Sequence, residues 1–287
     1  MKNLPIFFHI EKTAGTSLRE ALNLSKKKSK VLGLYLSNFK IKRVLDKSKN
    51  KKVVKISEQH GITEAKKLVE NMTSKDKNKF EVIIGHSIFY GLHDFFKKDA
   101  NYITIFRHPF KRAISHYNYA VDEKSLSPQD DFVDMIKEVS LLNNFMTERL
   151  HTFGFLEYIP TPDDRQAFRR CLNKFYFVSE VEKLKEDETL LRKIINLEIP
   201  IPKSNTSINH IPLEQIEKAE KIFRQNNELD FILYEEALLY RCKRKKELES
   251  IYKNTPLPSK SLFLIIRDIR KKLRKLINNY FKKSKRV

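Results

Sequence analysis

Lys12, Thr13, Ala14, Gly15, Thr16 and Ser17 set an ammonium, hydroxyl groups and a glycine in consecutive positions, between an apolar run and the start of a helical pattern. A strand-to-helix turn of this kind offers free backbone N–H groups at the positive end of a helix dipole, and both favour an anion. Gly15 lets the backbone come close to such an anion, Thr16 and Ser17 add hydroxyl donors, and Lys12 adds a full positive charge. A second set lies further along: Arg107 ends another apolar run, and Ser115 follows eight residues later in a helical stretch. A guanidinium offers phosphate a planar, multi-donor grip, and the two residues can converge on one phosphate. The third candidate is His86, which with Gly85 follows directly on the run FEVII (80–84). An imidazole titrates near neutrality, so it suits removal of a proton from a hydroxyl group.

The turn is not that of the usual nucleoside triphosphatases. Aligned on Gly15, the pattern G-x-x-x-x-G-K-[ST] meets Ile10 where the first glycine should stand and Thr16 where the lysine should stand. Neither later strand ends in the Asp that holds magnesium for phosphoryl transfer, which argues against ATP hydrolysis. Each feature has a plain reading as well. Gly15 and Thr16 could simply cap a helix, Arg107 could form a surface ion pair, and His86 could be structural. Three such features at three strand ends favour chemistry.

Those features need elements to position them. Leu4–His9 (LPIFFH) is almost continuously apolar, as expected of a strand covered on both faces, and Leu18, Ala21 and Leu22 mark one face of a following helix. Residues 80–84, Tyr102–Phe106 and Phe175–Val178 are further predicted strands. Helices are predicted near 63–71, from Pro109 onward, over 131–150 as one long amphipathic element, and over 212–227 and 229–244. Interleaved strands and helices predict an α/β, three-layer P-loop-like fold with a central, mostly parallel sheet flanked by helices. The expected division is a catalytic domain over 1–250 and a basic amphipathic C-terminal helix or tail over 251–287.

Composition sets the outer bounds. Of 287 residues, 40% are hydrophobic and 20 are Phe, which is inconsistent with wholesale disorder. The net charge is +21, but residues 241–287 carry 17 Lys and Arg against 3 Asp and Glu, so most of the excess lies in the tail. Over 261–281 apolar residues from Leu262 to Tyr280 share one helical face, which fits either docking on the core, a solvated extension, or peripheral contact with an anionic membrane. Cys171 and Cys242 have no ligand-like spacing, so no metal site is expected. The first functional-looking turn begins at His9, leaving no room ahead of it for a leader, so the expected location is cytoplasmic, on the inner membrane face if the membrane reading of the tail holds. No recognition motif for nucleic acid accompanies the charge.

Two segments carry a family resemblance. FFHIEKTAGTSL (7–18) resembles the 5′-phosphosulfate loop of PAPS-dependent sulfotransferases (PAPS is 3′-phosphoadenosine 5′-phosphosulfate). IFRHPFKRAISHYNY (105–119) resembles their 3′-phosphate element, R-[DH]-P-x-x-R-x-x-S-x-Y. The likeness is to carbohydrate sulfotransferases related to the heparan sulfate 2-O-sulfotransferases, with further agreement at 175–184 and 229–238. It implies that Lys12, Thr13, Ala14, Gly15, Thr16 and Ser17 hold the 5′-phosphosulfate, and that Arg107 and Ser115 hold the 3′-phosphate. The resemblance also supports His86 as the base and implies that the acceptor is a polysaccharide or glycolipid; the chemistry of in-line sulfuryl transfer gives Lys12 the charge on the leaving phosphate and requires no metal. Glu11, His9 and His93 are rival bases, and His108 is expected to shape its turn. The alternatives are a P-loop nucleotide or sugar kinase and a non-catalytic glycan-binding relative.

Overall fold

The apolar run at the N-terminus is buried at every position and forms the middle of the sheet. The computed structural model describes residues 3–26, 30–35, 39–46, 51–58, 61–127, 131–138, 143–202 and 209–260, with 39–46 and 51–58 described as backbone. In chain order the elements are β1 (Leu4–Phe8), α1 (Gly15–Ser25), β2 (Val31–Leu34), β3 (Phe39–Asp46), β4 (Lys51–Glu58), α2 (Ile62–Glu70), α3 (Ser74–Lys79), β5 (Val82–Gly85), β6 (Ala100–Phe106), α4 (Pro109–Asp122), α5 (Phe132–Glu138), α6 (Phe145–Thr152), α7 (Arg165–Asn173), β7 (Phe177–Glu180), α8 (Leu184–Ile194), α9 (Leu213–Asn226) and α10 (Glu228–Ile251). The main sheet has the order β2-β5-β1-β6-β7, and all its pairings are parallel. β3 and β4 form a separate antiparallel pair. The structure is therefore an α/β fold with a five-stranded parallel sheet flanked by helices.

Alternation along the strands divides the core into two layers. Phe7, Val82, Ile84, Ile103 and Ile105 face α1 and α8 and pack with Leu18, Leu22, Leu190 and Leu191. Ile6, Phe8, Ile83, Tyr102 and Phe106 face the other way and pack with residues of α4, α6, α7 and α10. Pro109 occupies the first turn of α4, where its missing N–H costs no helical bond.

One element departs from the sequence reading. In place of the single helix expected over 131–150 there are two described helices, α5 ending at Glu138 and α6 beginning at Phe145, and just before α6 Asn144 adopts a left-handed φ of 49°. Asn tolerates that conformation, and distant residues hold it there. The Asn144 N–H donates to Asn227 Oδ1 at 2.8 Å, and Asp230 accepts from the N–H groups of Met146 and Thr147 at 3.0 and 2.8 Å, capping α6. The tail helix expected over 261–281 lies outside the described residues. Just past α10 the chain is tied to α8, Lys193 Nζ donating to the Tyr252 carbonyl at 2.9 Å.

Candidate active site

Because β5, β1 and β6 are adjacent and parallel, the turn at 9–17, His86 and Arg107 leave the sheet along one edge. That edge, beyond the carboxyl ends of the strands, is where open α/β sheets bind ligands. Register brings two of the segments into contact. Phe8 is opposite Gly85, and the pairing continues as His9 N–H donates to the Gly85 carbonyl at 2.9 Å. His9 and His86 therefore stand side by side, their rings stacked 4.3 Å apart.

The turn itself is strained. Lys12 and Ala14 both have left-handed φ, 69° and 63°, uncommon for residues with a Cβ. Thr13 Oγ1 donates to the Ile10 carbonyl at 2.7 Å, so this hydroxyl closes the turn and is not presented outward. α1 begins without a side-chain cap and without an acidic residue in its first turn, which leaves the positive end of its dipole unopposed. Gly15 is required for a local reason: a Cβ there would stand 1.9 Å from His9 Nε2. Thr16 is exposed, and Ser17 is buried.

Positive charge collects under this turn. Arg107 Nη1 donates to the Lys12 carbonyl at 3.3 Å, which brings the two phosphate-binding candidates together. Lys12 Nζ rests 3.7 Å from the centre of the Tyr119 ring, so this face of α4 is turned toward the loop. Ser115 lies one helical turn before Tyr119 and three residues after Arg112, half-buried on that same face. Arg112 is fully buried, and among the described residues none of its three guanidinium nitrogens has a hydrogen-bond partner; it lies 4.0 Å from the centre of the Phe145 ring. Burial pushes its pKa from 12.5 down to about 10, against the pull of Asp230 and Glu11. Burial, with Arg107 and Arg112 adding, pushes Lys12 down to about 8. Burial and then Arg112 and Lys12 push His116 down to about 3, so it is neutral. The nearby carboxylates are engaged elsewhere: Asp230 caps α6, and Glu11 accepts from Arg149 through Nε at 3.1 Å and through Nη2.

His86 is poised as an acceptor of protons. Its Nδ1 is 2.7 Å from the His9 carbonyl, which can only accept, so Nδ1 carries the hydrogen and Nε2 keeps its lone pair. Burial lowers its pKa, Glu11 opposing, so the ring is neutral at pH 7. The rivals are less suited. Burial raises the Glu11 carboxyl, but Arg149 and then His86 outweigh it and hold the group at about 2, too acidic for a base. His9 is buried between His86 and Gly15, its pKa held well down by burial and then by His86. His93 Nδ1 lies 3.1 Å from the hydroxyl of Tyr102, near the start of β6 and away from the turn. His108 stands at the N-terminus of α4, edge-on to Phe231 and Tyr234.

Arg112 is the second Arg of the motif quoted for 105–119 but was given no role there, and Tyr119 and the Glu11–Arg149 pair were not singled out by the sequence reading. Two signals point to Arg112: the motif position, and its place in the buried stripe of α4 with Ala113, His116 and Tyr117, where helical periodicity expects an apolar side chain. Arg149 had none, since it is 138 residues from its partner. Among the described residues no group of three or more His, Cys, Asp or Glu side chains is placed to hold a metal ion, and no helix is long and apolar enough to cross a membrane.

No family model matches the chain, and no curated protein matches it. Among solved structures the chain is similar to a sulfotransferase from Alicyclobacillus acidocaldarius, with 14% identity and a TM-score of 0.41, over 85% of this chain and 99% of that one.

Proposed function

We propose that this chain is a sulfotransferase that moves the sulfuryl group of PAPS to a hydroxyl group of a carbohydrate acceptor. The observation that carries the reading is the charge under the turn. Arg112 is a buried guanidinium with no hydrogen-bond partner, beside Lys12, Arg107 and an uncapped helix start. Asp230, Glu11 and the Phe145 ring offset only part of the cost of burying this charge without hydrogen bonds, and a multiply charged anion at the turn would offset more. Two phosphate groups suit the arrangement: one against the start of α1 and Lys12, the other against Arg107 and Ser115. PAPS, when bound, supplies a sulfuryl group activated on its 5′-phosphate, and its 3′-phosphate distinguishes it from ordinary adenylates.

The residues then divide the work. The N–H groups of the α1 first turn and the Lys12 ammonium stabilise the charge that grows on the departing 5′-phosphate, the place a metal fills in phosphoryl transfer. His86 Nε2 takes the proton from the acceptor hydroxyl. The carbohydrate class of that acceptor rests on the motif resemblance at 7–18 and 105–119.

Calorimetry tests the donor site. Adenosine 3′,5′-bisphosphate should bind without magnesium, at least about tenfold more tightly than adenosine 5′-monophosphate, about 1.4 kcal/mol for the second phosphate. Equal affinity for the two would sink the donor assignment, and magnesium-dependent binding of ATP in their place would turn the reading to a kinase. Incubation with sulfur-labelled PAPS and a glycan panel tests the acceptor; binding of glycan without label transfer would leave a non-catalytic relative.

A further inference from the structure

The base in this site has a carboxylate behind it that the transfer reaction, as described, does not use. Glu11 follows the end of β1 by three residues and points inward, its side chain 10% exposed. Both of its oxygens accept from the Arg149 guanidinium on α6, and Oε1 also lies 3.9 Å from His86 Nδ1. That distance is too long for a hydrogen bond but well within the range at which an opposite charge favours imidazolium. Resting on the reading of His86 as base, we infer that Glu11, clamped by Arg149, is a positioning residue that stabilises the positive charge the His86 ring acquires during transfer, while the His9 carbonyl holds the Nδ1–H tautomer.

The bookkeeping of the step shows where that charge arises. As the acceptor oxygen bonds to sulfur, its proton passes to His86 Nε2. The bond between sulfur and the bridging oxygen breaks, and its electron pair stays on the 5′-phosphate. His86 is then a cation with hydrogens on both nitrogens, buried to 15% side-chain exposure. The groups facing it are the stacked ring of His9 and the carboxylate of Glu11 from the turn, Arg19 from α1, the edge-on Tyr35 ring beyond β2, and Arg149 from α6. His9 and Tyr35 are neutral, and Arg19 and Arg149 oppose a positive ring. Glu11 is the one carboxylate in the set, and Arg149 keeps it ionised and fixed. Without Arg149 the same buried carboxyl would be driven toward its neutral form.

The experiment is a histidine NMR titration on the full chain, with His86 assigned by the signal missing from His86→Ala. In the unsubstituted protein the neutral ring should show the Nδ1–H tautomer; an Nε2–H tautomer overturns the inference, and this measurement needs no variant at the carboxylate. In Glu11→Gln, which keeps the shape and an acceptor for Arg149, the His86 pKa should fall by about one unit, and Glu11→Asp should restore part of the shift. An unchanged or raised pKa in Glu11→Gln overturns it. In the transfer assay the acid limb of kcat should move to lower pH by the same amount and kcat should drop about tenfold, with bisphosphate affinity within about twofold. A merely structural role would change affinity and kcat together and leave the limb in place. If the titration shifts while the unsubstituted protein moves no sulfate, the carboxylate–imidazole coupling stands and the transferase reading falls.

Discussion

Replacing Arg112 with Met separates a ligand-binding role from a structural one, because the two predict opposite signs for stability. The guanidinium is fully buried, with no hydrogen-bond partner for any of its nitrogens. The depression of its pKa from 12.5 to about 10 corresponds to about 3 kcal/mol against the charged form. A depressed pKa on a cation destabilises the fold wherever the group is charged, here at every pH below about 10. The contact with the Phe145 ring returns roughly 0.5–2 kcal/mol. Met fills similar space without charge, so the ligand-free variant should be more stable by about 1–3 kcal/mol in urea unfolding, in line with other buried ions replaced by apolar residues. Affinity for adenosine 3′,5′-bisphosphate should fall by about 2–5 kcal/mol, roughly 30-fold to several thousand-fold. At bisphosphate concentrations that add about 2.7 kcal/mol of stability to the unsubstituted protein, the variant should gain less than about 1 kcal/mol. A variant that is less stable without ligand, yet binds the bisphosphate unchanged, would refute the reasoning and make Arg112 a core residue held by Asp230 and Phe145.

Other expectations follow from the same geometry. Lys12, with its pKa at about 8, is charged below that value and neutral above it, so bisphosphate affinity should be flat from about pH 6.5 to 7.5 and weaken above about pH 8, and Lys12→Arg should remove that limb. A limb that persists in Lys12→Arg assigns the titration elsewhere. His86→Ala should abolish sulfuryl transfer while keeping bisphosphate affinity within about twofold; substantial residual transfer removes His86 as base. Gly15→Ala drives a Cβ to 1.9 Å from the His9 ring, which His86 backs, so urea unfolding should show a loss of about 1–3 kcal/mol, whereas an unaffected variant would mean that His9 can move aside. For the basic segment 261–281, the full chain should pellet with anionic vesicles at low salt and not with zwitterionic ones, and equal pelleting with both would end the membrane reading.

What could be read from the chain alone follows from the range of the forces involved. β1, β5 and β6 are buried on both faces, so they show as short apolar runs, and each hands over directly to polar residues at the edge where ligands bind. The turn at 12–17, His86 and Arg107 were legible for that reason. β2 was not, because Val31–Leu34 is a four-residue edge strand in a Lys- and Ser-rich stretch, and one of its residues faces solvent. The start of α6 was hidden as well: periodicity continues through Asn144, and the groups that hold the N-terminus of α6, Asn227 and Asp230, lie 83 and 84 residues from their partners. The same holds for Glu11. Its place in the turn is visible in the sequence, but the guanidinium that keeps it ionised arrives from α6, after three further strands of the main sheet.

One contact ties the anion turn and the base into a single device. The His9 ring lies between Gly15 at the start of α1 and the His86 imidazole, touching the space a Cβ would need on one side and stacking at 4.3 Å on the other. The His9 carbonyl also accepts the Nδ1–H that sets the tautomer of His86. Both contacts depend on the pairing of Phe8 with Gly85, since a slip of one residue would turn the side chains of β1 to the opposite face and separate the rings. The register of two buried strands, held by Phe7 on one face and Phe8 on the other, therefore fixes the distance between the start of α1 at Gly15 and the His86 imidazole, the two groups to which the proposed function gives the leaving phosphate and the proton. Rigid strands do this better than flexible loops, because an in-line transfer tolerates little error in the position of either group.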